Sequence, residues 1–110
     1  MNSLRNKVQL IGNLGNDPEI INLESGKTLA KFTIATNENY KNANGEKVTD
    51  TQWHNIIAWG KTAQIIEKYV TKGKEIAIEG KLTSRSYETK EGDKRYITEV
   101  VCNELLMLGK

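Results

Sequence analysis

Residues 51–61, TQWHNIIAWGK, constrain the fold most strongly because they contain both tryptophans of the chain. If this segment is a β-strand, successive side chains point to opposite faces. One face then carries Trp53, Asn55, Ile57 and Trp59. The other carries Gln52, His54, Ile56 and Ala58. Because the second face includes the small apolar side chains of a core, the segment predicts a strand with one buried face and two indoles on the other.

The two indoles have two interpretations. Aromatic side chains are commonly buried, so Trp53 and Trp59 could belong to a core. Exposed rings would instead offer flat surfaces on which unstacked nucleobases stack, whatever the base sequence. The strand by itself favours the core, and other parts of the chain must decide.

Length and composition limit the class of protein. A chain of 110 residues suits one core, so we expect a single domain over residues 1–110. The net charge of +2 and the pI near 8.6 are not strongly basic, so a nucleic-acid surface would be a local stripe of Lys and Arg. Cys102 is the one cysteine, which excludes an internal disulfide and fits a reducing cytoplasm.

The sequence contains no targeting or membrane signal. The N-terminus lacks the long apolar stretch of a signal peptide, and no segment approaches transmembrane length. We therefore expect a cytoplasmic, nucleoid-associated protein without membrane contact.

Further strands are predicted on both sides of the tryptophan strand. Alternating apolar residues indicate strands over 7–12, resuming at 19–23, over 28–37, over 74–89 and over 94–101. Asn44-Gly45 predicts the turn of a long hairpin that leads into the tryptophan strand. Gly80 predicts a bend or a close backbone approach.

One helix is predicted after the tryptophan strand. Its apolar stripe consists of Ala63, Ile66 and Val70. Ile65 and Tyr69 would widen the stripe, and Thr62 would cap the start of the helix. Five antiparallel strands with one helix between strands 3 and 4 indicate an all-β, five-stranded Greek-key barrel, the OB-fold. Such barrels commonly bind oligonucleotides or oligosaccharides, and the fold alone does not choose between these ligands.

Aromatic and basic residues recur on the predicted loops and hairpin arms. Tyr40 lies in a polar loop, where it is harder to explain as core than an aromatic residue on a strand. Arg85 and Tyr87 share one face of the last hairpin. Lys72, near the end of the helix, suits either the helix dipole or a phosphate contact.

The residues argue against an enzyme. The chain has one histidine, which excludes a metal site built from several histidines, and we expect neither metal nor cofactor. Cys102 lies in an apolar run, where a thiol is typically inert. The sequence has no glycine-rich phosphate loop.

An ordered set of short motifs resembles bacterial single-stranded DNA-binding protein. The set consists of Asn6-Lys7-Val8, Gly12-Asn13-Leu14-Gly15, Asp17-Pro18-Glu19, Ala35-Thr36, Trp53-His54, Gly60-Lys61, Tyr69, Lys72-Gly73, Ile78-Glu79-Gly80, Arg95-Tyr96 and Thr98-Glu99-Val100-Val101. No single motif is specific, but together they cover nearly the whole chain in order. The resemblance implies an OB-fold homotetramer that binds and protects single-stranded DNA in replication, recombination or repair, without catalysis.

The resemblance also implies roles for individual residues. The predicted stacking residues are Tyr40, Trp53, Trp59 and Tyr87. The predicted phosphate contacts are Lys7, Lys61, Lys72 and Arg85. Asn55 and Tyr69 complete the predicted interface, and His54 matches a histidine near a subunit contact. In this context we favour stacking surfaces over core residues for the two tryptophans.

Several positions depart from the family pattern. Tyr40 and Tyr87 replace tryptophan, Trp59 replaces phenylalanine, and Asn55 stands where arginine is common. The sequence also lacks the family's disordered linker and acidic tip, so we expect no tail-mediated recruitment of repair or replication enzymes. The alternative is a dimeric OB-fold primosomal adaptor that acts mainly through protein contacts. Oligosaccharide binding is a third possibility, which the basic residues disfavour.

Overall fold

The structure, a computed structural model, describes residues 5–108. This part of the chain forms β1 (Val8–Leu14), β2 (Glu19–Asn22), β3 (Thr28–Lys41), β4 (Lys47–Trp59), α1 (Gly60–Tyr69), β5 (Glu75–Glu88) and β6 (Lys94–Met107). No helix in the described range is long and apolar enough to cross a membrane.

Five of the strands close into a barrel. The sheet order is β1-β5-β6-β4-β3, and β1 pairs again with β3 at Asn13↔Ala35 and Leu14↔Ile34. Next to this closing contact, β2 pairs with the same edge of β3 through Glu19 to Asn22. Hence β1 and β2 are two parts of one interrupted strand, as predicted, and β2 adds no further strand to the barrel. The all-β, five-stranded OB-fold with one helix between strands 3 and 4 is confirmed.

The barrel core follows the alternation of its strands. On β3 the buried positions are Thr28, Ala30, Phe32 and Ile34, and on β4 they are Ile56 and Ala58. Ile76 and Ile78 of β5 and Val100 and Cys102 of β6 complete the strand contribution. Each isoleucine or phenylalanine side chain buried in this core contributes about 1.5–3 kcal/mol relative to an exposed one.

Helix α1 covers the core with one narrow stripe. Ala63, Ile66 and Val70 are buried as predicted, whereas Ile65 and Tyr69 are exposed. The prediction that these two residues widen the stripe is therefore wrong, because only one side of the helix packs against β3, β4 and β6.

The start of α1 also differs from the prediction. The helix begins at Gly60 with Trp59 as N-cap, and no side chain caps it, so Thr62 does not have the predicted role. Gly60 has a φ of 60°, a value that glycine adopts at no steric cost. This conformation lets β4 lead into the helix without a separate loop.

The strands are longer than the alternation indicates. β3 and β4 remain paired out to Lys41↔Lys47, and β5 and β6 out to Glu88↔Lys94. Both hairpins therefore extend as two-stranded arms past the buried positions of the barrel. At its other end β6 continues beyond the predicted Val101 to Met107, because its last residues pair with the start of β5.

Gly80 marks a break in the β5–β6 register. The pairing shifts between Glu79 and Gly80. A Cβ atom at position 80 would overlap the carbonyl oxygen and carbon of Val101. The close backbone approach predicted for this glycine is confirmed.

Replacing Gly80 by alanine should destabilise the protein by about 1–3 kcal/mol, because the added methyl group meets backbone and not a movable side chain. Urea unfolding measures this change. The matched control is Ser86→Ala, an exposed site on the same strand, which should stay within about 0.5 kcal/mol of wild type. Equal stability of the two variants would contradict this account of the bulge.

Candidate nucleic-acid interface

The two tryptophans lie on the outer face of β4. Trp53 is 60% exposed and Trp59 is 42% exposed, whereas Ile56 and Ala58 between them are buried. The predicted division of β4 into a core face and an indole-bearing face is therefore confirmed. Neither indole belongs to the buried core.

The face that carries the indoles extends over neighbouring strands. The register aligns Ala35 with Trp53, Thr33 with Asn55, Lys31 with Ile57 and Leu29 with Trp59. Beyond β4, Ile57 pairs with Val101 of β6, and Glu99 pairs with Thr83 of β5. Directly paired residues share a face. This outer surface of β3, β4, β6 and β5 is called the indole face below.

Two adjacent hollows run across the indole face. One, of about 190 Å³, lies beside Asn55, and the other, of about 350 Å³, lies beside Trp59. Both are lined by Lys31, Ile57, Arg85 and Glu99. Arg85 therefore borders both hollows and lies next to one predicted stacking residue. Tyr87, half exposed, follows two residues later on the same side of β5.

The Trp53 indole rests on a glycine. A Cβ atom at Gly15 would overlap Cζ3 of the Trp53 ring. The segment beneath the ring is tied to β3, because the Gly15 N–H donates to the Thr33 carbonyl at 3.0 Å. The Thr33 hydroxyl in turn donates to Oδ1 of Asn16 at 2.9 Å. The ring is thus supported from below while most of its surface stays open to solvent.

Arg85 forms an ion pair with a buried carboxylate. Its Nε donates to Oε1 of Glu99 at 2.9 Å, and a terminal nitrogen donates to Oε2 at 3.4 Å. The Glu99 side chain is 5% exposed and that of Arg85 is 52% exposed. The hydrogen bond to Glu99, followed by the charge of this carboxylate, raises the pKa of Arg85 above its usual value.

Tyr40 lies away from the other stacking candidates. It is half exposed near the tip of the β3–β4 arm and pairs with Val48. Trp53 pairs with Ala35, an odd number of positions away along β3, so Tyr40 and Trp53 point to opposite faces of the arm. The sequence pattern does not show this, because the segment predicted as a loop is part of β3, and its strand register sets the direction of Tyr40.

Two polar rungs on the β3–β4 arm escaped the sequence analysis. The Thr51 hydroxyl donates to Oδ1 of Asn37, and the Thr49 hydroxyl donates to Oδ1 of Asn39, each at 2.8 Å. These pairs share the face of Trp53. Because the amide oxygens accept, the amide N–H₂ groups remain free to donate to a ligand. The spacing of Asn37 and Asn39, two residues apart, indicates in the sequence that both side chains share one face of a strand. Which residues lie opposite them depends on the register between β3 and β4.

The remaining predicted residues surround the indole face or lie elsewhere. Lys61 and Tyr69 are exposed and share one side of α1, and Lys72 follows the helix. The Lys72 backbone N–H donates to Oδ1 of Asp17 at 2.8 Å, which ties the loop before β5 to the barrel. Nε2 of His54 lies 3.0 Å from the Thr36 hydroxyl.

Lys7 forms an ion pair with a carboxylate of β5. Its Nζ lies 3.5 Å from Oε1 of Glu79 on β5. A hydrogen bond from Gln9, together with the charge of Lys7, lowers the pKa of Glu79. The structure therefore gathers Trp53, Asn55, Trp59, Arg85 and Tyr87 on one face, and it does not bring Tyr40 to that face.

The structure offers little for nucleophilic or metal chemistry within the residues it describes. Cys102 is buried, and burial raises the pKa of its thiol to about 11. Within residues 5–108, no group of three His, Cys, Asp or Glu side chains could hold a metal ion.

Known proteins resemble this chain over most of its length. Residues 5–108 match the model of the single-strand binding protein family. The chain is 50% identical over 105 residues to single-stranded DNA-binding protein 1 of Chlorobaculum tepidum, covering 94% of this chain and 65% of that protein. It is 42% identical over 106 residues to single-stranded DNA-binding protein 1 of Xylella fastidiosa, covering 96% and 78%.

A solved structure shares the fold. The Plasmodium falciparum SSB in complex with ssDNA superposes with a TM-score of 0.86 at 32% sequence identity, covering 99% of this chain and 100% of that chain. This chain spans about two thirds of the length of the Chlorobaculum relative.

Replacing Gly15 by alanine should push the Trp53 ring off its support. In a Trp59→Phe background, we expect easier quenching of Trp53 emission by acrylamide. The free energy of unfolding should change by about 0.5 kcal/mol or less, because an exposed ring can move aside. A loss of several kcal/mol would instead identify the indole as part of a locked core.

Proposed function

Because the chain belongs to the single-strand binding protein family, we propose that it binds and protects single-stranded DNA with little sequence preference and catalyses no reaction. The observation that carries this proposal is the exposure of Trp53, Trp59 and Tyr87 on the outer face that also carries Arg85. Stacking contributes about 1–3 kcal/mol per base and tolerates any sequence, since every base has a π-face.

The exposed rings favour single strands over duplex DNA. An indole can stack only on a base that has left its neighbours, and duplex bases are already stacked. The two hollows on the indole face lie beside Asn55 and Trp59 and could receive such bases. Duplex-binding proteins usually insert a helix or a β-ribbon into a groove. Here the wide outer face of the barrel receives the ligand.

Electrostatics supply a smaller part of the affinity in this proposal. Lys61 and Lys72 are exposed, and each cation that neutralises a phosphate adds about 0.7 to the salt slope of single-strand binding. The net charge of +2 is modest. Asn37 and Asn39 can donate uncharged hydrogen bonds along the β3–β4 arm.

We extend the proposal to the role of the whole chain. Residues 1–110 act as one DNA-binding domain in replication, recombination or repair, in the cytoplasm with the nucleoid. The single core within the described residues supports one domain. The buried Cys102, with its raised thiol pKa, supports the absence of thiol catalysis.

Oligo-dT should quench tryptophan emission, and duplex DNA at the same salt should bind much more weakly. Trp53→Ala and Trp59→Ala should each weaken oligo-dT binding about tenfold, the cost of one stacked base, with little change in melting temperature. The control Tyr96→Ala removes an exposed ring from the opposite face of the β5–β6 arm and should leave affinity unchanged. Equal affinity for duplex DNA would refute the proposal.

We also propose that the chain assembles as a homotetramer. The register aligns Ile11, Ala77 and Leu106 across β1, β5 and β6, and both Ile11 and Leu106 are well exposed. A broad depression of about 710 Å³ covers this row. Exposed apolar patches of this kind mark interaction sites. His54 remains a predicted subunit contact.

Light scattering should give a mass four times the 12.4 kDa of one chain. Leu106→Glu should lower this mass, because a charge in an apolar contact costs free energy. The control Ser86→Glu, on the β5–β6 arm, should not lower it. A monomer at micromolar concentration would contradict the proposal, and a dimer would favour the adaptor alternative.

A further inference from the structure

Arg85 carries little uncompensated charge on the indole face. Both carboxylate oxygens of Glu99 accept hydrogen bonds from its guanidinium, and Glu99 is almost fully buried on the same face. A buried carboxylate facing a polyanion repels it unless a cation cancels the charge. Because Arg85 cancels it, the pair as a whole is neutral and gains little by approaching a phosphate.

The same ion pair fixes the orientation of Arg85. Hydrogen bonds from Nε and one terminal nitrogen to the two oxygens of one carboxylate hold the guanidinium plane in a set direction. About half of the side chain nevertheless remains exposed. A rigid, flat and weakly hydrated group of this kind stacks well on aromatic faces, including nucleobases.

The neighbours of Arg85 continue a stacking path. Trp59 lines the same hollow as Arg85. Tyr87 lies two residues from Arg85 on the same face of β5. A base that stacks on the Trp59 indole in this hollow would therefore also meet the guanidinium.

We propose that Arg85 contacts a base and not a phosphate, and that Glu99 is a positioning residue that holds the guanidinium in plane for this contact. The inference deepens the proposed function and rests on it. It replaces the phosphate role that the sequence analysis expected for Arg85.

The test measures oligo-dT affinity as a function of salt concentration for three variants. Arg85→Lys keeps the charge but removes the flat group. The double variant Arg85→Gln/Glu99→Gln removes the ion pair without leaving a buried charge unpaired. Lys61→Gln, which removes an exposed cation outside the ion pair, is the control for a phosphate contact. The same titrations are repeated with an abasic oligodeoxynucleotide, and thermal melts verify folding.

We expect Arg85→Lys and the double variant to bind oligo-dT about tenfold more weakly with an unchanged salt slope. On the abasic oligonucleotide, both variants should bind like wild type. Lys61→Gln should reduce the salt slope by about 0.7 on both ligands. Wild-type affinity of Arg85→Lys, or a loss that persists on the abasic ligand, would overturn the inference alone. Failure of the wild-type chain to bind oligo-dT would instead refute the proposed function itself.

Discussion

The alternation of side chains along β4 is the constraint on which core and interface both depend. Ile56 and Ala58 point into the barrel, whereas Ile57 and Trp59, which alternate with them, point outward. A slip of one residue against β3 would exchange these sets and bury the indoles. The long ladder with β3, the parallel contact with β6 and the closure of β1 on β3 together prevent such a slip. Packing of the core therefore also sets which rings reach solvent.

The sequence predicts the structure correctly where the local pattern of residues determines it. Alternation in β4 identified the buried and exposed faces, and Gly80 marked a close approach because a side chain has no space there. The local pattern is insufficient where contacts between residues distant in sequence decide the structure. The exposure of Ile65 depends on which side of α1 meets the barrel, and the face of Tyr40 depends on how far β3 and β4 stay paired. Likewise, Glu99 resembles an ordinary surface carboxylate until β5 places Arg85 over it.

The interface combines rigid support with modest charge. Gly15 supports Trp53 from below, Glu99 holds Arg85, and threonine hydroxyls orient the amides of Asn37 and Asn39. Each support restricts a side chain before any ligand arrives, which lowers the entropy lost on binding. Flat groups and neutral donors also depend less on ionic strength than a dense field of lysines would.

The two arms differ from the barrel in what holds them together. Beyond the last buried positions of β3 and β4, the β3–β4 arm is a two-stranded ribbon held by backbone hydrogen bonds and the Asn–Thr rungs, with exposed side chains around it. Such ribbons have little stability of their own in water. The arm can therefore open or bend while the barrel stays folded, since local opening costs less than global unfolding. A bound single strand would contact both the rigid barrel and the flexible β3–β4 arm. Bending of the arm could then change the curvature of the strand without breaking its contacts with the barrel.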